Sequence, residues 1–178
     1  GMFLHFKAVA AAVPLPIIAY NIPGRTAVNM APATLARLAN ALPAVLAVKE
    51  ASGSLDQLSE TLALCPKGFT VLSGDDSLTV PMMSVGAKGV ISVLSNLLPR
   101  QTSQMVAAAL AGDYRAAAAK HQALFPLIKA LFVETNPIPV KAAAGMLGLC
   151  DGTLRLPLTP ATPATRAGLK AAWKKAGL

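Results

Sequence analysis

Four short runs of this chain end in residues that can do chemistry: Tyr20-Asn21, Lys49-Glu50, Ser73-Gly74-Asp75-Asp76 and Ile91-Ser92. Lys49 closes the apolar stretch Ala44-Val45-Leu46-Ala47-Val48. An amine at the buried end of such a stretch is desolvated, which disfavours its charged form. The free amine can attack a ketone and form an imine. On strand position alone, a lysine that reaches out to solvent or to Glu50 is the stronger reading. Tyr20 offers a phenol that could relay protons to and from an imine or carbinolamine, or else be a core aromatic with a satisfied hydroxyl. Arg25 follows the turn Asn21-Ile22-Pro23-Gly24. Its guanidinium could clamp a carboxylate through two hydrogen bonds, or simply be a surface charge. Gly74 would let a ligand come close to the backbone, or would only end a strand. Asp75 and Asp76 could suggest a metal pair, but aspartates there suit the first turn of the next helix.

These residues need elements that bring them to one rim. The runs Pro16–Asn21, Ala44–Glu50, Phe69–Gly74 and Gly89–Val93 are near-continuously apolar, as strands buried on both faces of a parallel sheet would be. Helical stretches lie between them. Ala31–Leu42 starts near Asn29 and Pro32, which suit a cap and an early helical position. Ser54–Leu64 has Ser54 as its N-cap, with Leu55, Leu58 and Leu62 on one face. Ser77–Val85 stops at Gly86. The βα repetition implies a parallel sheet, and reactive groups gather at the C-terminal ends of parallel strands. After the fourth run the pattern turns helical, with helices expected at Pro99–Gly112, Asp113–Phe132 (bent at Pro126), Val140–Leu149 and from Thr162 or Thr165 to Ala176. The stretch Arg155–Pro160 cannot be helical. The expected organisation is four βα units over residues 1–112 and a helical region over 113–178. The pattern alone does not separate half of an eight-stranded barrel from a small open sheet.

Composition narrows the function classes. Hydrophobic residues are 54% of the 178 and charged residues 13%, which argues against a disordered chain. No apolar run approaches the roughly 18 residues a membrane span needs, and no signal peptide is legible at the start. A cytoplasmic protein is the expectation. Cys65 and Cys150 are far apart and outside any CxxC, so two free, half-buried thiols are expected. His5 and His121 are isolated, and no metal site is expected. The net charge is +8, yet the one dense basic patch, Arg166, Lys170, Lys174 and Lys175, lies at helical spacing in the last segment. With aromatics at 4%, a solvated helix explains it better than nucleic-acid binding.

Taken together, Tyr20-Asn21-Ile22-Pro23-Gly24-Arg25-Thr26, Val48-Lys49-Glu50-Ala51-Ser52-Gly53, Leu72-Ser73-Gly74-Asp75-Asp76 and Gly89-Val90-Ile91-Ser92-Val93 resemble, in order and spacing, the dihydrodipicolinate synthase and N-acetylneuraminate lyase family of pyruvate-dependent aldolases. Leu131–Lys141 and Leu154–Pro160 look like the family's C-terminal helical region, so the resemblance covers nearly the whole chain. It implies an α/β fold: the C-terminal half of a (β/α)8 TIM barrel, four parallel βα units followed by helices. It implies that Lys49 forms the pyruvate imine, that Tyr20 relays protons, and that Gly74 and the main chain of Ile91 line the pocket.

Arg25 narrows the implied subfamily, because in the synthases the matching arginine grips the carboxylate of L-aspartate-4-semialdehyde. The implied reaction is condensation of pyruvate with that aldehyde towards diaminopimelate and lysine, with no cofactor beyond the covalently bound pyruvate. A sugar-acid aldolase or N-acetylneuraminate lyase of the same family is the alternative. The family's first half, with a relay threonine loop and a second tyrosine, has no counterpart here. A fragment, inactive alone, is therefore expected, acting with a complementary N-terminal half or as a homo-oligomer and binding neither nucleic acid nor membrane. A non-catalytic half-barrel that acts only by association is the reading from another class.

Overall fold

A computed structural model describes residues 1–177 of the chain. By packing it divides into two compact units, Gly1–Ile91 and Ser92–Leu178. The expected division, 1–112 and 113–178, follows a different criterion, the end of the βα repeat; its last residue, Leu178, lies outside the described residues.

The first unit is an α/β layer structure. Helix α1 (Met2–Ala12) leads to strand β1 (Ile17–Asn21), the one-turn helix α2 (Pro23–Thr26) and α3 (Pro32–Ala41). Then come β2 (Val45–Glu50), α4 (Leu55–Leu64), β3 (Thr70–Ser73), a 3-10 turn at Asp76–Leu78 and α5 (Thr79–Ser84). The strands form one open parallel sheet in the order β1-β2-β3. Paired residues of parallel strands share a face, and neighbours along a strand alternate. One face therefore carries Ala19, Val48 and Val71, then Asn21, Glu50 and Ser73, all buried. Leu35 and Leu38 of α3 and Leu58 of α4 are buried in the same unit, and each such leucine contributes about 1.5–3 kcal/mol. The opposite face pairs Ile18, Ala47 and Thr70, then Tyr20, Lys49 and Leu72. This face is open along β1, where Ile18 is 50% and Tyr20 45% exposed.

Local signals act largely as the sequence predicts. Ser54 accepts a hydrogen bond from the Gln57 N–H at the start of α4. Asp75 accepts from the Ser77 N–H, so this aspartate is a cap, as expected for the pair. Two expectations are corrected. The fourth run, Gly89–Val93, is not a strand but a single parallel bridge between Ser73 and Val90. Ser73 N donates to Gly89 O and Ile91 N donates to Ser73 O; the chain then turns, with Ser95 N donating to Ser92 Oγ, and the ladder stops. The sheet therefore has three strands, not four, and is not closed. Asn29 does not cap α3: the cap is Ala31, with Pro32 in the first turn, and the Asn29 side chain is engaged elsewhere.

The second unit is helical. A 3-10 turn at Leu94–Asn96 precedes α6 (Pro99–Leu110), α7 (Tyr114–Ala130), α8 (Ile138–Met146) and α9 (Pro163–Lys175). Its core gathers Leu94, Met105, Leu124, Leu127, Ile128, Leu131 and Leu169. Asp113 caps α7 by accepting from Ala116 N, and Pro126 sits inside that helix without ending it. Helix α8 begins before the expected Val140, because Pro139 occupies its first turn, where no N–H is needed. Thr162 caps α9 through Thr165 N, and Lys174 and Lys175 fill its last turn, where cations favour the helix dipole. Arg155–Pro160 is irregular, with a turn closed by Leu158 N on Arg155 O. Both cysteines are free, but only Cys65 is partly buried; Cys150 is exposed. Among the described residues no helix is long and apolar enough to cross a membrane.

Candidate functional site

Parallel pairing sets Tyr20 directly beside Lys49 at the ends of β1 and β2. Both side chains leave the open face, and the Lys49 Nζ lies 4.1 Å from the centre of the Tyr20 ring. This is within cation–π range. Lys49 itself is half-buried, flanked below by the buried Ala47 on the same face.

Gly74 stands one residue beyond β3, against the same lysine. Its N–H donates to Glu50 O at 2.7 Å, which carries the sheet's hydrogen bonding past the strand end. A Cβ on Gly74 would come within 2.7 Å of the Ala51 Cβ, 3.1 Å of Glu50 O and 3.2 Å of the Lys49 Cγ. The close approach of the Lys49–Ala51 segment, rather than an unusual backbone angle, requires glycine here. Ile91 follows the single bridge; its N–H is committed to Ser73 O, so its carbonyl is the main-chain group it can offer a ligand.

Arg25 is placed differently. It is exposed on α2, whose tight turn is held by Arg25 N and Thr26 N on Ile22 O and by Ala27 N on Pro23 O. Ala27 takes the left-handed conformation (φ 56°) to end that turn. The structure thus gathers Tyr20, Lys49 and Gly74 by direct contact or pairing and sets Ile91 next to them through Ser73. Arg25 is carried on the turn that follows Asn21.

A network behind this rim was not read from the sequence. Glu50 and Asn21 are each 2% exposed, on the buried face of the sheet. The Asn21 Nδ2 donates to both Glu50 oxygens at 3.1 Å and to the Asn29 Oδ1 at 2.9 Å, while its Oδ1 accepts from Met30 N at 2.9 Å. Glu50 also accepts from Ser52 N (2.7 Å) and from the Gln57 Nε2 (3.1 Å). Gln57 and Asn29 exchange reciprocal amide hydrogen bonds at 2.8 and 3.1 Å. The available signal was the pair of polar residues, Asn21 and Glu50, one step past Tyr20 and Lys49 in strands otherwise apolar. Among the described residues no cluster of three or more His, Cys, Asp or Glu side chains is arranged to hold a metal ion.

The profile of the dihydrodipicolinate synthetase family matches residues 1–176. The chain belongs to that family. A 4-hydroxy-tetrahydrodipicolinate synthase from Thermomicrobium roseum is 54% identical over 172 residues, covering 97% of this chain and 57% of the relative. One from Moorella thermoacetica is 53% identical over 178 residues, covering 100% and 61%. Among solved structures, a dihydrodipicolinate synthase from Aquifex aeolicus superposes with a TM-score of 0.97 at 48% identity, over 100% of this chain and 61% of that one. The Thermotoga maritima enzyme gives 0.96 at 42% identity, over 99% and 61%. The chain thus spans between 57% and 61% of the length of these family members.

Proposed function

We propose that this chain carries the imine-forming part of a 4-hydroxy-tetrahydrodipicolinate synthase, a lyase that condenses pyruvate with L-aspartate-4-semialdehyde. The observation that carries the reading is the Lys49 amine facing the Tyr20 ring at 4.1 Å, at the C-terminal ends of adjacent parallel strands. Reactive groups of α/β barrels sit at that end. The residue roles follow. The Lys49 amine attacks the ketone carbon of pyruvate, and loss of water from the carbinolamine leaves an imine. Loss of a methyl proton gives the enamine, whose carbon attacks the aldehyde carbon and forms the new C–C bond. The substrate's own amino group then attacks the imine carbon, closes the ring and expels Lys49. Tyr20 carries protons at the imine and carbinolamine stages. Arg25 binds the aldehyde substrate's carboxylate, and Gly74 and the Ile91 carbonyl border the bound pyruvate.

In this reading the open sheet is one side of a (β/α)8 barrel, with residues 1–112 its half-barrel and 113–178 its helical region. Parallel sheets are ordinarily covered on both faces, whereas Ile18 and Tyr20 stand exposed on this one. A complementary N-terminal half, or a further copy of the chain, covers it, and turnover requires that cover. The same open face supports a second reading, in which the chain acts only by associating and does no chemistry.

The experiment is reduction with borohydride after addition of pyruvate, followed by intact mass measurement and peptide mapping. A pyruvate-dependent adduct on Lys49 is the expected result. Labelling of a different side chain, or none when the complementary half is supplied, would sink the proposal. Arg25→Ala is expected to keep the adduct and lose use of the semialdehyde; normal turnover by that variant would move the assignment to the sugar-acid aldolases of the family.

A further inference from the structure

We propose that Glu50 is a positioning residue: a buried carboxylate that locks the ends of β1 and β2 together from behind the sheet and so holds Lys49 against Tyr20. The proposal rests on the reading of Lys49 as the imine lysine, and deepens it.

The register is the starting point. Tyr20 pairs with Lys49 on the open face, and the next pair along, Asn21 with Glu50, points to the buried face. Whatever fixes Asn21 against Glu50 therefore fixes the relative height of Tyr20 and Lys49, one residue away on each strand. A buried carboxylate is a costly way to join two strands. The preceding pair on the same face, Ala19 with Val48, joins them with apolar side chains alone.

The carboxylate gains reach that an apolar pair lacks. Its donors are neutral N–H groups from three places: the end of β1 (Asn21 Nδ2), the loop directly after Lys49 (Ser52 N) and the first turn of α4 (Gln57 Nε2). Through Asn21 and its bond from Met30 N, the hold extends to the far side of the loop that bears Arg25. The shortest bond, 2.7 Å from Ser52 N, pins the segment whose Ala51 methyl group faces Gly74. Acceptors and donors match throughout: the carboxylate only accepts, and every group turned towards it only donates.

That matching makes the proposal testable by a swap. Glu50→Gln keeps the shape but turns an amide NH2 towards other N–H donors. Asn21→Asp sets two carboxylates face to face. In Asn21→Asp/Glu50→Gln together, the new glutamine amide donates to the new aspartate. The aspartate still accepts from Met30 N, and the glutamine oxygen still accepts from Ser52 N. The Asn29 and Gln57 amides turn over together, so that Asn29 donates to the aspartate and the Gln57 oxygen accepts from the glutamine amide while their own reciprocal pair is kept. Two rates are measured on the full chain with its complementary half: pyruvate-dependent borohydride trapping at Lys49, and acetylation of Lys49 by acetic anhydride relative to the exposed Lys67 and Lys88. The second needs no imine.

Each single variant is expected to trap about tenfold more slowly, well inside the ~100-fold that a ~1 Å misplacement can cost, and to change the relative acetylation of Lys49. The double variant is expected to recover most of both. Gln57→Ala removes one donor at the half-buried rim without adding a group, and is expected to slow trapping about threefold. Parental rates in Glu50→Gln, equal losses in all three variants with no recovery, or a parental Gln57→Ala should the others not fold, would each overturn the positioning role. Absence of any Lys49 adduct in the unaltered protein would instead defeat the imine reading, and the acetylation ratios would still judge the role of Glu50.

Discussion

Gly74→Ala is the sharpest test of how the rim is built. The added methyl carbon would lie 2.7 Å from the Ala51 Cβ, 3.1 Å from Glu50 O and 3.2 Å from the Lys49 Cγ. Carbon atoms in ordinary contact stand about 3.5–4.0 Å apart, so the Ala51 side must yield by about 1 Å. Two of the three neighbours cannot rotate away: Ala51 has only its Cβ, and Glu50 O belongs to the backbone that accepts the Gly74 N–H. Overpacking of this kind costs about 1–3 kcal/mol. The displaced segment follows Lys49 directly, and a shift of ~1 Å at a reacting group can cost ~100-fold in rate. Gly168→Ala is the control, since a Cβ there, on helix α9, meets nothing within 4 Å. Urea unfolding is expected to show Gly74→Ala less stable by about 1–3 kcal/mol and Gly168→Ala more stable by about 0.5–1 kcal/mol. Borohydride trapping at Lys49 should slow in the first and hold in the second. If Gly74→Ala stays within about 0.5 kcal/mol of the parent, the range of a surface substitution, and traps at the parental rate, the close approach of Gly74 to Lys49–Ala51 does not constrain the rim.

Two further outcomes concern the helical unit. Asp113→Ala removes the side-chain cap that Ala116 N uses at the head of α7, and is expected to cost about 1 kcal/mol in urea unfolding, with Asp113→Asn recovering most of it. Burial depresses the pKa of His121, whose Nδ1 has no hydrogen-bond partner among the described residues. Protonation is therefore easier in the unfolded chain: the histidine's stabilising contribution is complete above about pH 6.5 and is lost as pH falls below it. His121→Leu should flatten the unfolding midpoint between about pH 7 and pH 5 relative to the parent, and parallel pH profiles for the two proteins would contradict this.

What the sequence alone settled was local. The apolar run Val45–Val48 made β2, and Ser54 and Asp75 made their caps, because each depends on groups within about one turn or along one strand. The meeting of Tyr20 and Lys49 followed from two strands ending at one rim. Tertiary structure decided the rest. Gly89–Val93 has the composition of a strand, yet strand formation needs a neighbour along its length, and β3 is joined to this stretch by Lys88 N on Val71 O, Ser73 N on Gly89 O and Ile91 N on Ser73 O before Ser92 turns the chain. Asn29 has the look of a helix cap, but its amide is matched to Gln57 across a sequence gap of 28 residues, a pairing that only the packed loop and α4 create. Glu50 looks like a solvent partner for its neighbour Lys49, and the register of β1 on β2 sends it to the opposite face, into the hydrogen bonds of Asn21, Ser52 and Gln57. Periodicity and capping are written within a few residues, whereas which face a polar side chain meets, and what waits there, is fixed by the register between strands distant in sequence.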